Sequence, residues 1–558
     1  MAINILIGVG GTGAKLVEAA LFLFAAGLGP SDRVIVALVD QDNANGNVAR
    51  TRELLTLIRA LRNDFSGNGT RNRLDWSRSE GEGGTAFLSV DVEPFFPDTA
   101  HWRPAPASDA TLASILRTQD MSAPERDLFG LLFRDEPGQS RDAEQHMPLD
   151  RGYSGRAHVG AAALIAAVHF DQREFHDRLL ELLKQSSNQE VRVFLLGSLF
   201  GGTGAAGFPT IARSIHGIRK AGQQQQVNGK RIKLGGALML PYFSFRDPED
   251  PEANVVRHTQ LLPQARVALA FYDSLLGEER TFDQLYIAGW DSFFDLPYHE
   301  PGKAAQKNPP LLPELLGALA AVEFFMADRI ETEADAPLEP LASSRSQGGQ
   351  GAVGWADLPV HGLDRKLVYH RLAQLMRFAY WWRYRVEPAF DNREDGWRKW
   401  LGTLGLGRND VKVGHIKQPW LRTLAEGTDW QQGTPEARQH LVQFAEKLKE
   451  WAAAMELFAA EQNVAFDLWD LSHLCKERNP QEPQRPVSIS SELDDTQTEP
   501  GFSQIVTDLD PVAKSRSAAD LFAELHGRDE ELPASGNQGL GRVVWAVHRA
   551  ARPFEEIR

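Results

Sequence analysis

The chain of 558 residues holds one cysteine, Cys475. A single thiol excludes an internal disulfide and any Cys-built zinc cluster, and it fits a reducing compartment. Long apolar runs are missing too. The most hydrophobic stretch, "LVEAALFLFAAGLG" (Leu16–Gly29), is interrupted by Glu18 and is too short to span a bilayer. The first residues, "MAINILIGVGG", carry no basic leader and no small-residue cleavage site, so the expectation is a cytoplasmic chain without an integral membrane segment. Positive charge is in deficit: the formal net charge of −15 argues against a general nucleic-acid binder. The fifteen histidines show no HExxH-type metal spacing.

What is present is glycine in two matching places. "GVGGTG" (Gly8–Gly13) follows the apolar run Ile3–Val9 and precedes a helical stretch. "GSLFGGTGAAG" (Gly197–Gly207) follows the apolar run Val191–Ser198 and precedes the helix-like "FPTIARSIHGIRK". Such strand-to-helix turns place backbone N–H groups and a helix N-terminus around an anion. The first loop fits Gly8-x-Gly10-x-x-Gly13, and Asp40 ends the next strand, as in a dinucleotide site. Neither loop closes on the Lys-Ser/Thr pair of a P-loop, which argues against a Walker-type ATPase.

Further apolar runs at 32–40, 233–243 and 282–290 read as buried strands, and the intervening segments read as helices. The pattern predicts an α/β fold with a parallel sheet over residues 1–330, ending in a long apolar helix at 313–330. Residues 331–352, with "SSRSQGGQGA", predict a flexible connection. Residues 353–558 predict a divergent α+β or helical region, with helices at 363–386 and 435–463. The mixture of bases and aromatics at 363–386 reads as an amphipathic helix packed in a core, with a face for a protein partner or nucleic acid as the alternative.

A simple dinucleotide fold has no use for the second loop. "FGGTGAAG" (Phe200–Gly207) resembles the GGGTGSG or GGGTGTG signature of the tubulin/FtsZ family of GTPases, with Phe200 in place of the first glycine. Further elements follow in the family's order: "GVGGTG"; "VALVDQDNAN"; "GYSGRAHVGAAA"; "LMLPYFSF", with Pro241 and Tyr242; and "YIAGWDS". The resemblance implies a Rossmann-like GTPase domain with a long central helix, binding GTP and Mg²⁺. It implies that Gly10, Gly11, Thr12 and Gly13 cradle phosphate from one side, and Gly201, Gly202, Thr203 and Gly204 from the other. Asp40, with Asp42 beside it, falls near the metal or ribose, and Ser154, Gly155 and Arg156 near the terminal phosphate. Asp291 and Asn308 fall where the family reads the guanosine.

In that family a neighbouring subunit completes hydrolysis, and assembly is head to tail into filaments. The FtsZ-type "NxDxxD" stretch is not found after Ile330. Asp357 and Asp364 stand in the corresponding region, with a turn residue and a helix N-cap as their structural alternatives. Three functions remain open from sequence. The first is a self-assembling GTPase. The second is a nucleotide-dependent switch or scaffold with little turnover, and the third a Rossmann enzyme using NAD or ATP.

Overall fold

The computed structural model describes residues 2–66, 74, 76, 85–133, 144–153, 155–167, 173–185, 189–224, 232–245, 258–278, 280–290, 294–296, 308–328, 330, 341–344, 362–383, 387, 435–461, 544 and 548. The first half-unit runs β1 (Ala2–Val9), α1 (Gly10–Ala25), β2 (Val34–Val39), α2 (Gly46–Ser66), β3 (Val92–Pro94) and β4 (His101–Trp102). Helices α3 (Leu112–Ile115), α4 (Ala123–Leu132), α5 (Ala157–Ala166) and α6 (Glu174–Gln185) follow. The second half-unit is β5 (Glu190–Ser198), α7 (Gly202–Gln224), β6 (Ile232–Met239), β7 (Phe243–Phe245), α8 (His258–Glu278), β8 (Gln284–Gly289) and β9 (Phe294–Leu296). Then come α9 (Leu312–Met326), β10 (Leu341–Ser344), α10 (Arg365–Trp381) and α11 (Pro435–Glu461).

The main sheet has the order β10-β8-β6-β5-β1-β2-β3, with β4 also paired to β2. Every pairing in it is parallel. Register follows side-chain burial: Ile5 lies opposite Ile35 on one side and Val193 on the other. In β1, Ile3, Ile5, Ile7 and Val9 face one core, while Leu6 faces the other. A strand buried on both faces reads as an unbroken apolar run, which is why β1, β2 and β5 are legible in the sequence.

On one face lie α1, α2 and α9, with α10 and α11 packed over them in the same hydrophobic cluster. The other face is covered by α6, α7 and α8. A small cluster joins α3, α4 and α5. The architecture is therefore α/β with a parallel, Rossmann-like sheet. Within the stretch 331–352, Leu341–Ser344 pairs with β8 as an edge strand. Among the described residues, no helix is long and apolar enough to cross a membrane.

The strand order reverses between β1 and β5. From β1 the chain winds outward through β2 and β3; from β5 it winds the opposite way through β6 and β8. In open α/β sheets the loops at such a switch point separate and leave a crevice at the carboxyl ends of the strands. Both glycine loops lie there.

Candidate functional site at the switch point

The glycines expected in loops form the first turns of helices instead. α1 begins at Gly10 directly after Val9, and α7 begins at Gly202. Starting a helix inside the motif aims its unpaired N–H groups at the crevice. Val9 offers no side-chain cap to α1, and neither helix has an acid in its first turn. Both N-termini keep their partial positive charge.

Two positions show why glycine is needed. Gly10 has φ +76°, and a Cβ there would stand 2.9 Å from the backbone nitrogen of Gly204. A Cβ on Gly202 would stand 2.8 Å from the Cβ of Tyr153 and 3.2 Å from the nitrogen of Gly155. The loops after β1 and β5 and the loop before α5 thus meet backbone to backbone. Gly10, Gly11, Thr12, Gly13, Gly155, Gly201, Gly202, Thr203 and Gly204 are brought together at one edge.

The loop after β2 forms the next wall. Asp40 is buried, and both its oxygens are engaged by protein. Oδ1 accepts from the Asp42 N–H (3.1 Å) and the Thr203 hydroxyl (3.4 Å), and Oδ2 accepts from Asn45 Nδ2 (3.0 Å). Burial pushes this carboxyl up to about 7, against the hydrogen bond from Asp42. Its backbone carbonyl bonds His101 Nε2 at 2.8 Å, and burial depresses His101 to about 4. Asp40 therefore ties the β2 loop to the start of α7.

Other oxygens in this wall are left over. Asp42 Oδ1 accepts from the Ala44 N–H, while its buried Oδ2 has no hydrogen-bond partner. The same holds for Asp150 Oδ1, the Tyr153 hydroxyl and Asn47 Oδ1. Burial raises the Asp42 carboxyl, and Asp150 nearby raises it further. Unpaired polar atoms in a buried wall are costly unless a ligand or cation completes them.

The opposite wall is ionic. Lys15 of α1 pairs with Glu314 of α9, each 2% exposed. Glu314 also accepts from the Tyr242 hydroxyl (2.7 Å) and from the Leu311 N–H (3.0 Å). Arg50 of α2 grips Glu18 with two bonds of 2.7 Å and donates to the carbonyl of Asn308 at 2.9 Å. Lys15 thus faces α9, unlike a P-loop lysine.

Of the remaining sequence candidates, Asn308 is buried just before α9. Arg156 forms an ion pair with Glu144 at 3.3 Å. Asp364 is the N-cap of α10, accepting from the Lys366 N–H at 2.9 Å. It stands two residues from Gly362, where a Cβ would meet the Glu323 side chain in the last turn of α9 at 2.8 Å. Ser154, Asp291 and Asp357 lie outside the described residues.

Sequence reading missed Asp150, Tyr153, Asn45 and the Lys15–Glu314 and Arg50–Glu18 pairs. A signal existed for the last two: Glu18 is the one acid of α1 and Glu314 one of two in the otherwise apolar α9, and a buried acid requires a partner. Among the described residues, no group of three or more His, Cys, Asp or Glu side chains could hold a metal. No protein-family model matches the chain, and no curated protein matches it.

Proposed function

We propose that this chain is a tubulin/FtsZ-like protein that binds GTP with Mg²⁺ across the crevice and self-assembles head to tail. One observation carries the reading: two helix N-termini without first-turn acids, α1 and α7, converge through glycine contacts at the topological switch point. That is a site for a polyanion held from both sides. The N–H groups at Gly10–Gly13 and at Gly202–Gly204 take the phosphates, and Asn308 and Asp291 take the guanine. Asp42 and Asp150, with their unpartnered oxygens, fit the metal. Mg²⁺ commonly takes one or two carboxylates and fills its remaining positions with phosphate and water. When bound, it neutralises charge on the phosphates.

Head-to-tail assembly finds support in the course of α9. It starts at the site wall and ends near the amino end of β5, where Arg192 donates to the carbonyls of Phe325 and Ala327. Asp364 stands at that far end, so stacked copies would bring it toward the next copy's loops. A heterologous contact of this kind repeats without closing. The N-cap role of Asp364 favours a second reading, a nucleotide-dependent switch with little turnover.

GTP turnover measured against protein concentration, with light scattering in the same cuvette, separates the two. Turnover per molecule that climbs with concentration alongside scattering supports the assembling GTPase. Tight binding with flat, negligible turnover supports the switch. Absence of GTP binding overturns both. Gly10→Ala, strained at φ +76° and crowded by Gly204, is expected to weaken GTP binding at least 100-fold with the circular dichroism spectrum unchanged.

A further inference from the structure

The seam between α2 and α11 is not filled as a helix–helix contact usually is. Packed helices bring side chains together with axes about 8–10 Å apart, and protein interiors leave few voids larger than a water molecule. Here the two helices run antiparallel, since Lys447 pairs with Glu53 (3.1 Å) and His440 with Asp64 (2.8 Å). Along the seam lies an open cleft of about 550 Å³. Small-molecule sites occupy about 300–1,000 Å³.

One face of each helix lines the cleft. Ala49, Arg52, Glu53, Thr56, Leu57 and Ala60 follow the spacing of a single α2 face, and His440, Gln443 and Lys447 do the same on α11. Ala49 and Ala60 offer only a methyl group each, which leaves the room. The polar groups are unequally satisfied. Lys447 and His440 are each tied to a carboxylate. The Thr56 hydroxyl donates to the Arg52 carbonyl at 2.9 Å, and its oxygen can still accept. Among the described residues, the Arg52 guanidinium and the Gln443 amide have no hydrogen bond or ion pair. Lys447 and Glu53 cancel within the lining, so Arg52 leaves it a surplus positive charge, in a chain whose net charge is −15.

We propose that this seam binds a small organic anion, with its carboxylate or phosphate on Arg52 and Gln443 and its apolar body against Leu57 and the two alanines. A guanidinium presents a planar fork of donors that matches either oxyanion, and an amide adds one more donor. Bound there, the anion bridges α2 of the sheet-forming part to α11 near the C-terminal end. The site stands apart from the crevice, and its occupancy does not depend on what binds there.

The probes are 1-naphthoate, 1-naphthyl phosphate and the neutral 1-naphthalenemethanol, titrated calorimetrically into the full chain and its variants. At least one anion is expected to bind about tenfold tighter than the alcohol, and the better of the two tells carboxylate from phosphate. Arg52 is exposed and its side chain holds no partner, so Arg52→Ala is expected to fold normally and to bring the anions down to the level of the alcohol. Ala60→Leu fills the cleft and is expected to weaken all three probes. Arg59→Ala removes a charge from α2 outside the lining and is expected to change none of them. An anion preference that survives Arg52→Ala, or that falls equally in Arg59→Ala, places the probe elsewhere and overturns the proposal. So does anion binding no tighter than the alcohol's, or no binding of any probe up to about 5 mM.

Discussion

His101 sits where a proton is unwelcome. Burial lowers it from 6.5 to about 4, against the favourable bond to the Asp40 carbonyl, and Arg52 and Arg103 oppose the charge as well. The unfolded chain takes up a proton near 6.5, while the folded chain refuses it until about 4. The neutral ring's contribution is therefore complete above 6.5 and is lost as pH falls toward 4, a difference of about 3 kcal/mol. His101→Gln carries no titrating group and retains an N–H for Asp40. Its urea midpoint should decline less than wild type's between pH 7 and pH 4.5; parallel curves would reject this assignment. At this scale the sequence was readable where backbone chemistry dominates, as in the two glycine motifs. Asp40 was read as a site acid; of its three internal hydrogen bonds, those from Asp42 and Asn45 are local, and the one from Thr203 joins residues that only the folded chain brings near. Asp150 carried no local signature at all.

At the scale of elements, β1, β2, β5, β6 and β8 were legible because a doubly buried strand leaves an apolar run. β3, β4 and β10 were not, since two to four residues at a sheet edge carry too short a pattern. α9 was legible as an apolar helix, but what holds its end was not. Arg192 projects from β5, and its Nη1 donates to the carbonyls of Phe324 (3.3 Å), Phe325 (2.9 Å) and Ala327 (2.7 Å). These are the groups that a helix C-terminus leaves unpaired. Arg192→Leu would strand them in a buried setting, at an expected loss of about 3 kcal/mol in chemical denaturation. A loss under about 0.5 kcal/mol would mean that water or a neighbouring donor replaces the guanidinium.

At the scale of the molecule, α10 and α11 pack onto the face formed by α1 and α2. Trp451 lies 4.9 Å from Phe22, Phe378 lies 4.8 Å from Phe87, and Phe444 also reaches Phe87. Composition suggested a division at 331–352. Contacts between residues so far apart along the chain leave no mark in any local window, so the shared cluster was invisible to it. Trp451→Ala removes a side chain that is almost entirely buried, and a loss of about 3 to 5 kcal/mol is expected. If the two parts were energetically separate, the substitution would split unfolding into two transitions. A single cooperative transition at lower urea is the outcome that the packing predicts.

The place of β1 in the sheet also bears on how the protein is made. β1 leaves the ribosome well before its partner on one side, β5, which ends at Ser198. At 5–20 residues per second, roughly 190 residues of synthesis separate the two strands by about 10 to 40 s. Throughout that interval β1, apolar but for Asn4, carries an open edge on that side. The nascent chain thus passes through a stage in which its central strand is available to any passing chaperone, and to other nascent chains.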